Sequence, residues 1–246
     1  YNPTTSRLYT DLGLLTSDPE IGEDATDLFN FLTGFSLQKE YKQLLVAPVN
    51  LWNRMLKLIE REREHAEAGR EAYIAAKVNR LTDLDTVDAL YRASQAGVKI
   101  DLIVRGSCML RPGVAGLSQT VHVRSIVGRF LEHSRIFHFA NGGDDEVYIG
   151  SADWMSRNMD RRVEVVTPVR DEQLKSYLRD IVMPAYLRDN VAARILTAEG
   201  TYQKPQIGVG EEPFNSQLFF EGRHSAPSGG SVHPLKRRRL WAKPAQ

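Results

Sequence analysis

The chain has 246 residues, of which 42% are hydrophobic and 26% charged, and its formal net charge is +1. This composition excludes a collagen, a coiled coil and a wholly disordered chain, and the length allows one or two domains with a substantial core. No apolar run approaches the roughly 18 residues that a membrane-spanning helix needs. The single Cys108 cannot form a disulfide within the chain, which favours a reducing, cytoplasmic compartment.

The first 36 residues are predicted to be the end of a preceding unit, because they hold turn residues and one short helical pattern. Leu28, Phe29 and Leu32 give that pattern, and Gly34 ends it. The chain opens on Tyr1 rather than on Met, without the basic start and apolar stretch of a signal peptide. We interpret the sequence as a piece of something longer.

Strand and helix patterns alternate from residue 44 onwards, which is typical of an α/β fold. One helix is predicted from its cap at Asn50 to Gly69, and a second from Asp83 to its stop at Gly97. A turn at residues 141–144 separates two strands. The predicted strands cover residues 44–49, 72–78, 98–104, 119–123, 136–139, 146–149 and 163–167.

This order predicts an α/β sandwich with a mixed, largely parallel sheet, because strand–helix–strand units join parallel neighbours. A final helix is predicted from Asp171 to about Leu196, and Pro184 is the expected position of a break.

Positive charge is concentrated at the C-terminus, where residues 222–246 carry +6 without an acidic side chain, which leaves −5 on residues 1–221. Proline, glycine and serine are frequent beyond Gly200, and residues 225–231 have a composition typical of a flexible linker. We therefore expect a basic flexible tail over residues 221–246, with little packed structure after about Phe220. Its cluster Lys236-Arg237-Arg238-Arg239 is typical of a solvated tail, or of one that binds nucleic acid, another polyanion or an acidic surface.

Arginine without lysine marks residues 100–162, and this composition favours phosphate recognition. The planar guanidinium grips phosphate or carboxylate in two places at once, whereas ammonium is only a point charge. Loops at strand ends are also where open α/β sheets bind ligands. The alternative for each arginine is a structural salt bridge with a nearby acid. The eight residues are Arg105, Arg111, Arg124, Arg129, Arg135, Arg157, Arg161 and Arg162.

His133 and Arg135 form a candidate catalytic pair, since residues i and i+2 of a strand face the same side and can meet one phosphate. An imidazole titrates near neutral pH, so it serves as a nucleophile or a general acid. The guanidinium would stabilise charge on the transferred group. Gly150-Ser151 adds backbone and hydroxyl donors for an anion.

The pattern His133-x-Arg135 followed by Gly150-Ser151-x-Asp153 resembles the signature of phospholipase-D-like phosphotransferases, with arginine for their usual lysine, aspartate for asparagine, and wider spacing. A longer set of motifs resembles the C-terminal part of the bacterial class 1 polyphosphate kinases over about residues 1–215. These motifs are Tyr1-Asn2-Pro3, Arg7-Leu8-Tyr9-Thr10-Asp11, Lys77-Val78-Asn79, Ser94-Gln95-Ala96-Gly97, Ile103-Val104-Arg105-Gly106, Leu110-Arg111-Pro112-Gly113 and residues 125–136, 148–155, 157–158 and 161–165.

This resemblance implies reversible transfer of the terminal phosphate of ATP to inorganic polyphosphate through a phosphohistidine, with Mg²⁺. It implies two phospholipase-D-like domains that face each other across the active site. Residues 1–36 would end the first domain, residues 37–220 would form the second, and the tail would follow at 221–246. The phosphorylated histidine and the Mg²⁺ ligands would lie upstream of Tyr1. We therefore expect no metal ligand in this chain and no activity from it alone.

The resemblance also implies roles for individual residues. Tyr1, Arg105 and His133 match the ATP-contacting residues, and His133 is the second active-site histidine rather than the phosphorylated one. The expected partners are ATP or ADP, polyphosphate, upstream domains of the same polypeptide and a second copy in a homo-oligomer, without specific nucleic-acid binding. The expected location is the cytoplasm, with peripheral membrane association as an option. Further candidates for phosphate or polyphosphate contacts are Arg111, Arg135, Ser151 and Arg161.

Two other functions stay open. A phosphodiesterase of the phospholipase-D type would use His133 as its covalent nucleophile, although such an enzyme usually has two His-x-Lys sites and this chain has one imperfect copy. A noncatalytic polyanion-binding module would use the arginines and the basic tail, and its binding would be salt-sensitive and independent of His133.

Overall fold

A nine-stranded sheet with helices on both faces organises the chain, of which the computed structural model describes residues 2–4, 6–37, 40–160 and 162–225. The helices are α1 (Pro19–Leu32), α2 (Leu51–Glu67), α3 (Leu84–Gln95), α4 (Ser156–Asp160), α5 (Glu172–Tyr177), α6 (Met183–Arg188) and α7 (Ser216–Ser225). The strands are β1 (Tyr9–Thr10), β2 (Leu45–Ala47), β3 (Tyr73–Val78), β4 (Lys99–Val104), β5 (Val121–Ile126), β6 (Leu131–Glu132), β7 (Arg135–Phe139), β8 (Glu146–Gly150), β9 (Glu164–Pro168), β10 (Ala193–Leu196) and β11 (Tyr202–Gln203).

The α/β class is confirmed, but the expectation of a largely parallel sheet is wrong. The strand order is β11-β10-β5-β4-β3-β7-β8-β9-β2, and only the pairs β3–β4 and β4–β5 are parallel. Parallel neighbours need a long crossover, which α3 supplies between β3 and β4, whereas antiparallel neighbours need only a turn. The predicted turn at Asn141–Gly143 joins β7 and β8 in this way, with Gly142 at φ 66° and Gly143 at φ 106°.

Side chains of the central strands alternate between two apolar layers. Ile74, Ala76 and Val78 of β3 pack with α2 and α3, whereas Tyr73 and Ala75 pack with α6 and the π-helical turn Leu178–Val182 that precedes it. This alternation follows from the period of two of a strand and explains why β3 is apolar on both faces.

The structure corrects the predicted role of the Asn50 side chain as the cap of α2. Asn50 stands at the N-cap position but makes no side-chain cap hydrogen bond. Its side chain instead reaches back to β2, where it accepts from Val46 N at 2.7 Å and donates to Leu44 O at 3.2 Å. Asp83 caps α3 by accepting from Thr86 N at 3.0 Å.

The predicted helix from residue 171 to 196 is wrong at its C-terminal end. The helical stretch ends at Arg188, and Ala193–Leu196 form β10, which pairs with β5. Asp189 makes the break, because its carboxylate accepts from the backbone N–H groups of residues 191, 192 and 193. Pro184 lies inside α6, next to the π-helical turn, and the helix continues past it.

Helix α7 was not predicted, and it runs to Ser225, past the expected start of the tail. Ser216 is fully buried, and its N–H and hydroxyl both donate to Asp189 Oδ2 at 2.7 Å. Phe220 packs against the Tyr186 ring with 5.2 Å between centroids. The rest of the predicted tail, including the basic cluster at 236–239, lies outside the described residues.

Gly150 ends β8 at a point where no side chain fits. A Cβ there would lie 2.3 Å from Val165 O and 2.7 Å from Val166 Cα, both in the backbone of β9. Gly150→Ala is therefore expected to lower the free energy of unfolding by about 1–3 kcal/mol, the usual cost of overpacking. Chemical denaturation measures this loss.

Gly22→Ala is the matched control, because nothing lies within 4 Å of a Cβ at this position in α1. It is expected to be neutral or to raise the stability by about 0.5–1 kcal/mol, since alanine favours a helix over glycine. Equal stability of the two variants would contradict the close approach of β8 and β9.

Candidate active site

The carboxyl ends of β3, β4 and β8 meet the start of β7 at one edge of the sheet, because β7 runs antiparallel to both of its neighbours. This arrangement gathers the polar residues at these strand ends into one group. Three of them, Arg105, His133 and Arg135, are site residues predicted from the sequence. The group consists of Asn79, Arg105, His133, Arg135 and Asp153, and we call it the strand-end cluster.

His133 is held by contacts on both ring nitrogens. Its Nδ1 lies 2.7 Å from Asp11 Oδ2, and its Nε2 lies 3.1 Å from Arg135 Nη1. Arg135 Nη1 also lies 3.3 Å from Nδ1, so it is nearly equidistant from the two ring nitrogens and does not lie on the lone pair of Nε2. A carboxylate only accepts, so the contact with Asp11 places a proton on Nδ1. The side chain is 25% exposed, and the Tyr9 ring packs against it in a T-shaped arrangement. The imidazole is thus oriented by Asp11 through Nδ1, with Arg135 beside the ring.

Arg135 forms a two-pronged ion pair with Asp153. Its Nε lies 3.1 Å from Asp153 Oδ1 and its Nη2 lies 3.2 Å from Oδ2, while Nη1 also donates to His133 O at 3.0 Å. Asn79 N donates to Asp153 Oδ1 at 2.7 Å, so the carboxylate is committed to the neighbouring strand end as well. Arg135 therefore orients the cluster, and its prediction as a phosphate contact stays a prediction.

Arg105 is anchored through one nitrogen. Its Nε donates to Asn79 Oδ1 at 2.7 Å, and within the described residues neither Nη group has an acceptor. Burial lowers the pKa of Arg105, the carboxylate of Asp153 raises it, and the positive charges of Arg135 and Arg80 lower it further. Arg105 thus presents its Nη donors in an electropositive setting, which suits an anion.

Ser151 follows β8 beside the start of β7, since Gly150 pairs with Arg135. Its hydroxyl donates to Glu164 Oε2 at 2.5 Å and accepts from Val165 N at 3.1 Å. These contacts place Ser151 at the same edge of the sheet but direct its hydroxyl to Glu164. A phosphate contact by Ser151 stays a prediction.

Four other arginines of residues 100–162 make their described contacts away from His133. Arg111 donates to Ala198 O at 3.3 Å, at the turn before β11, and Arg124 donates to Leu187 O. Arg129 pairs with Glu221, and Arg162 lies 3.9 Å from Glu164. Tyr1 and Arg161, both predicted site residues, lie outside the described residues.

Sequence reasoning missed residues that complete the site. Asp11 and Asn79 lie within motifs of the resemblance, but their spacing from His133 gave no signal that they contact it. Arg80 was also missed: its side chain lies 3.5 Å from where a Cβ of Gly106 would stand. Such contacts join residues that are distant in sequence, and no periodicity reports them.

The described part of the chain has neither a metal-binding cluster nor a membrane-spanning helix. It contains no group of three or more His, Cys, Asp and Glu side chains arranged to hold a metal ion. The carboxylate of Asp153 is already taken by Arg135 and Asn79, so the strand-end cluster does not fit Mg²⁺. None of the described helices combines the length and the apolar character needed to cross a membrane.

Comparisons with known proteins point to one family. The family model "Polyphosphate kinase C-terminal domain 2" matches residues 44–217, and "Polyphosphate kinase C-terminal domain 1" matches residues 1–38. A polyphosphate kinase of Synechocystis sp. is 56% identical over 220 residues, which cover 89% of this chain and 30% of that protein. One of Pseudomonas aeruginosa is 48% identical over 227 residues, which cover 92% of this chain and 33% of that protein.

A solved structure agrees with these matches. The crystal structure of polyphosphate kinase from Porphyromonas gingivalis superposes with a TM-score of 0.85 at 39% identity, over 90% of this chain and 34% of that one. The chain spans about a third of the length of these relatives. The resemblance inferred from the motifs is confirmed, and the chain belongs to the polyphosphate kinase family.

Proposed function

We propose that this chain supplies one half of a phosphotransferase site that moves phosphate reversibly between ATP and inorganic polyphosphate. The observation that carries the proposal is the strand-end cluster, where Asn79 joins His133, an oriented imidazole, to Arg105, whose Nη groups have no acceptor among the described residues. Phosphoryl transfer needs positioning and charge stabilisation more than covalent chemistry from the protein, which suits this arrangement. The names and identities of the relatives support the same reaction.

In this mechanism Arg105 holds the nucleotide phosphates and His133 assists the transfer. The Asp11 carboxylate keeps the His133 proton on Nδ1, so Nε2 accepts a proton or orients the phosphate. The phosphorylated histidine of the proposal, and the ligands of the Mg²⁺ that the resemblance implies, would come from outside the described residues. No step is assigned to Mg²⁺ in this chain.

The test is ATP formation from ADP and long-chain polyphosphate with Mg²⁺. We would compare this chain alone with a chimera in which it replaces the matching region of the Synechocystis relative, which is 56% identical. The chimera is expected to form ATP and the chain alone is not. If the chain alone formed ATP, and its His133→Ala variant did not, His133 would itself be the nucleophile. An inactive chimera beside an active parent would contradict the proposed function.

The same proteins discriminate the two alternatives. Hydrolysis of a chromogenic phosphodiester that is lost in His133→Ala would favour a phosphodiesterase. Salt-sensitive binding of polyphosphate and nucleic acid with equal affinity, unchanged in His133→Ala, would favour a polyanion-binding module.

A further inference from the structure

Behind the strand-end cluster lies a buried carboxylate, Glu132, which is 3% exposed. One of its oxygens accepts from Thr10 Oγ1 at 3.0 Å and the other from Gln217 Nε2 at 2.8 Å. Lys77 Nζ lies 3.3 Å from the carboxylate, and the Tyr186 hydroxyl bonds to it as well. Segments far apart in sequence, β1, β3, α6 and α7, thus meet at one side chain.

Lys77 links this carboxylate to the far side of His133. Its ammonium is 1% exposed and donates to Ser134 O at 3.1 Å and to Ser134 Oγ at 2.8 Å. Burial lowers the pKa of Lys77, and the charge of Glu132 opposes that shift. The ion pair of Lys77 with Glu132 therefore fixes both sequence neighbours of His133, which are Glu132 itself and Ser134.

The pairing of β1 with β6 connects the buried network around Glu132 to the position of His133. Thr10 stands opposite Glu132, and both side chains face the buried carboxylate network. Successive residues of an extended chain point to opposite sides, so Asp11 and His133, which directly follow these two strands, meet on the side away from the Glu132 carboxylate. His133 N also donates to Thr10 O at 3.1 Å. The 2.7 Å contact between Asp11 and His133 depends on this register.

Helix α7 completes the anchor through Gln217. Its amide accepts from Phe130 N at 3.0 Å and donates to Phe130 O at 2.9 Å, besides its bond to Glu132. The loop before β6 approaches so closely that a Cβ on Gly128 would lie 2.4 Å from Gln217 Oε1. A side chain at position 128 would displace the Gln217 amide from its bonds to Phe130 and Glu132.

We propose that Glu132, with Gln217 of α7 bound to it, is a positioning residue that sets the orientation of His133 relative to Asp11. The proposal rests on the proposed function only for its kinetic consequence, because the orientation of the ring can be observed without turnover. No described hydrogen bond joins the side chain of Glu132 or Gln217 to a side chain of the strand-end cluster, so each acts through the pairing that brings His133 to Asp11.

The first test observes the imidazole of His133 by ¹⁵N NMR in this chain, with the signal assigned from the spectrum of His133→Gln. In Glu132→Gln and in Gln217→Leu, the Nδ1 signal is expected to shift and to lose the signature of its hydrogen bond to Asp11. Glu62→Gln is the matched control, since Glu62 is also fully buried and accepts from Tyr73 N and Asn141 N at the opposite end of β3. An unchanged His133 signal in both folded test variants would overturn the proposal.

The second test separates positioning from stability in the chimera. Glu132→Gln and Gln217→Leu are each expected to lower kcat by about tenfold to 100-fold, as small misplacements do, with KM for ADP nearly unchanged. In the double variant Lys77→Met with Glu132→Leu, two apolar groups replace the buried pair, which removes the unpaired buried charge that a single substitution leaves but does not restore the contact to Thr10. Recovery of kcat together with stability would overturn the proposal.

The two tests keep this inference apart from the proposed function. If His133→Ala left turnover unchanged, the role of His133 in phosphotransfer would fall, whereas the NMR result would still decide whether Glu132 orients the ring. If Glu132→Gln failed to fold, the His133 NMR signal of Gln217→Leu would test the proposal, because that variant keeps the buried ion pair of Lys77 with Glu132.

Discussion

Replacing Arg105 with alanine is expected to lower the rate of ATP formation by the chimera by about 10²–10³-fold, the usual effect of removing one well-placed charge stabiliser. Its guanidinium is the one in the strand-end cluster whose described hydrogen bond uses Nε alone, so both Nη groups are available to bind a phosphate. Arg135 cannot substitute, because Asp153 and the backbone of His133 occupy it. Initial rates at saturating polyphosphate, with varied ADP, measure the loss.

Two further variants make the Arg105 result specific. Arg105→Lys keeps the charge but loses the fork and the Nε bond to Asn79, so an intermediate loss is expected. Arg63→Ala removes an arginine that pairs with Glu60 and Glu67 on α2, and normal turnover is expected from it. Near-normal turnover of Arg105→Ala would remove Arg105 from the site.

Replacing His133 with alanine is expected to lower turnover of the chimera by about 10²–10⁴-fold, the range of a positioned general acid or base. The variant loses Nε2 and also the ring that Arg135 Nη1 contacts at 3.1 Å from Nε2. Asp11→Asn keeps an oxygen for Nδ1 but removes the charge, so a smaller loss is expected. Initial rates across a pH series measure both variants.

His122→Ala is the control for the histidine result. His122 lies on β5, where its 60% exposed ring is 3.4 Å from Asp101, and no described contact joins it to the strand-end cluster. Its removal is expected to leave the rate of ATP formation unchanged. A His133→Ala rate close to that of His122→Ala would exclude His133 from the reaction.

Local patterns in the sequence predicted the central strands and the closeness of His133 to Arg135, although His133 precedes β7 and does not lie on it. These predictions succeed because a period of two along a strand is a local property. The contact of His133 with Asp11 could not be predicted in the same way, since it joins residues 122 positions apart. It depends on β1 and β6, two strands of two residues each, which are too short to leave a periodic signal.

The C-terminal part of the fold shows a different limit. Ala193–Leu196 is a four-residue strand with apolar positions that fit a continuing helix equally well. The carboxylate of Asp189 decides the outcome by accepting three backbone N–H groups and then Ser216, 27 residues later. The buried Asp189 thus ends α6, begins β10 and docks α7. The composition of the sequence around α7, rich in proline, glycine and serine, gave no sign of this packing.

The hydrogen-bonded seam between β1 and β6 bears on where this protein can be shortened. The second family model begins at residue 44, and a truncated protein starting there would keep every strand of the nine-stranded sheet. It would nevertheless lose Thr10 and Asp11, the partners of Glu132 and His133. A truncation that preserves the site must begin before Tyr9, so an intact sheet and a proper fold would be a misleading criterion for choosing its boundary.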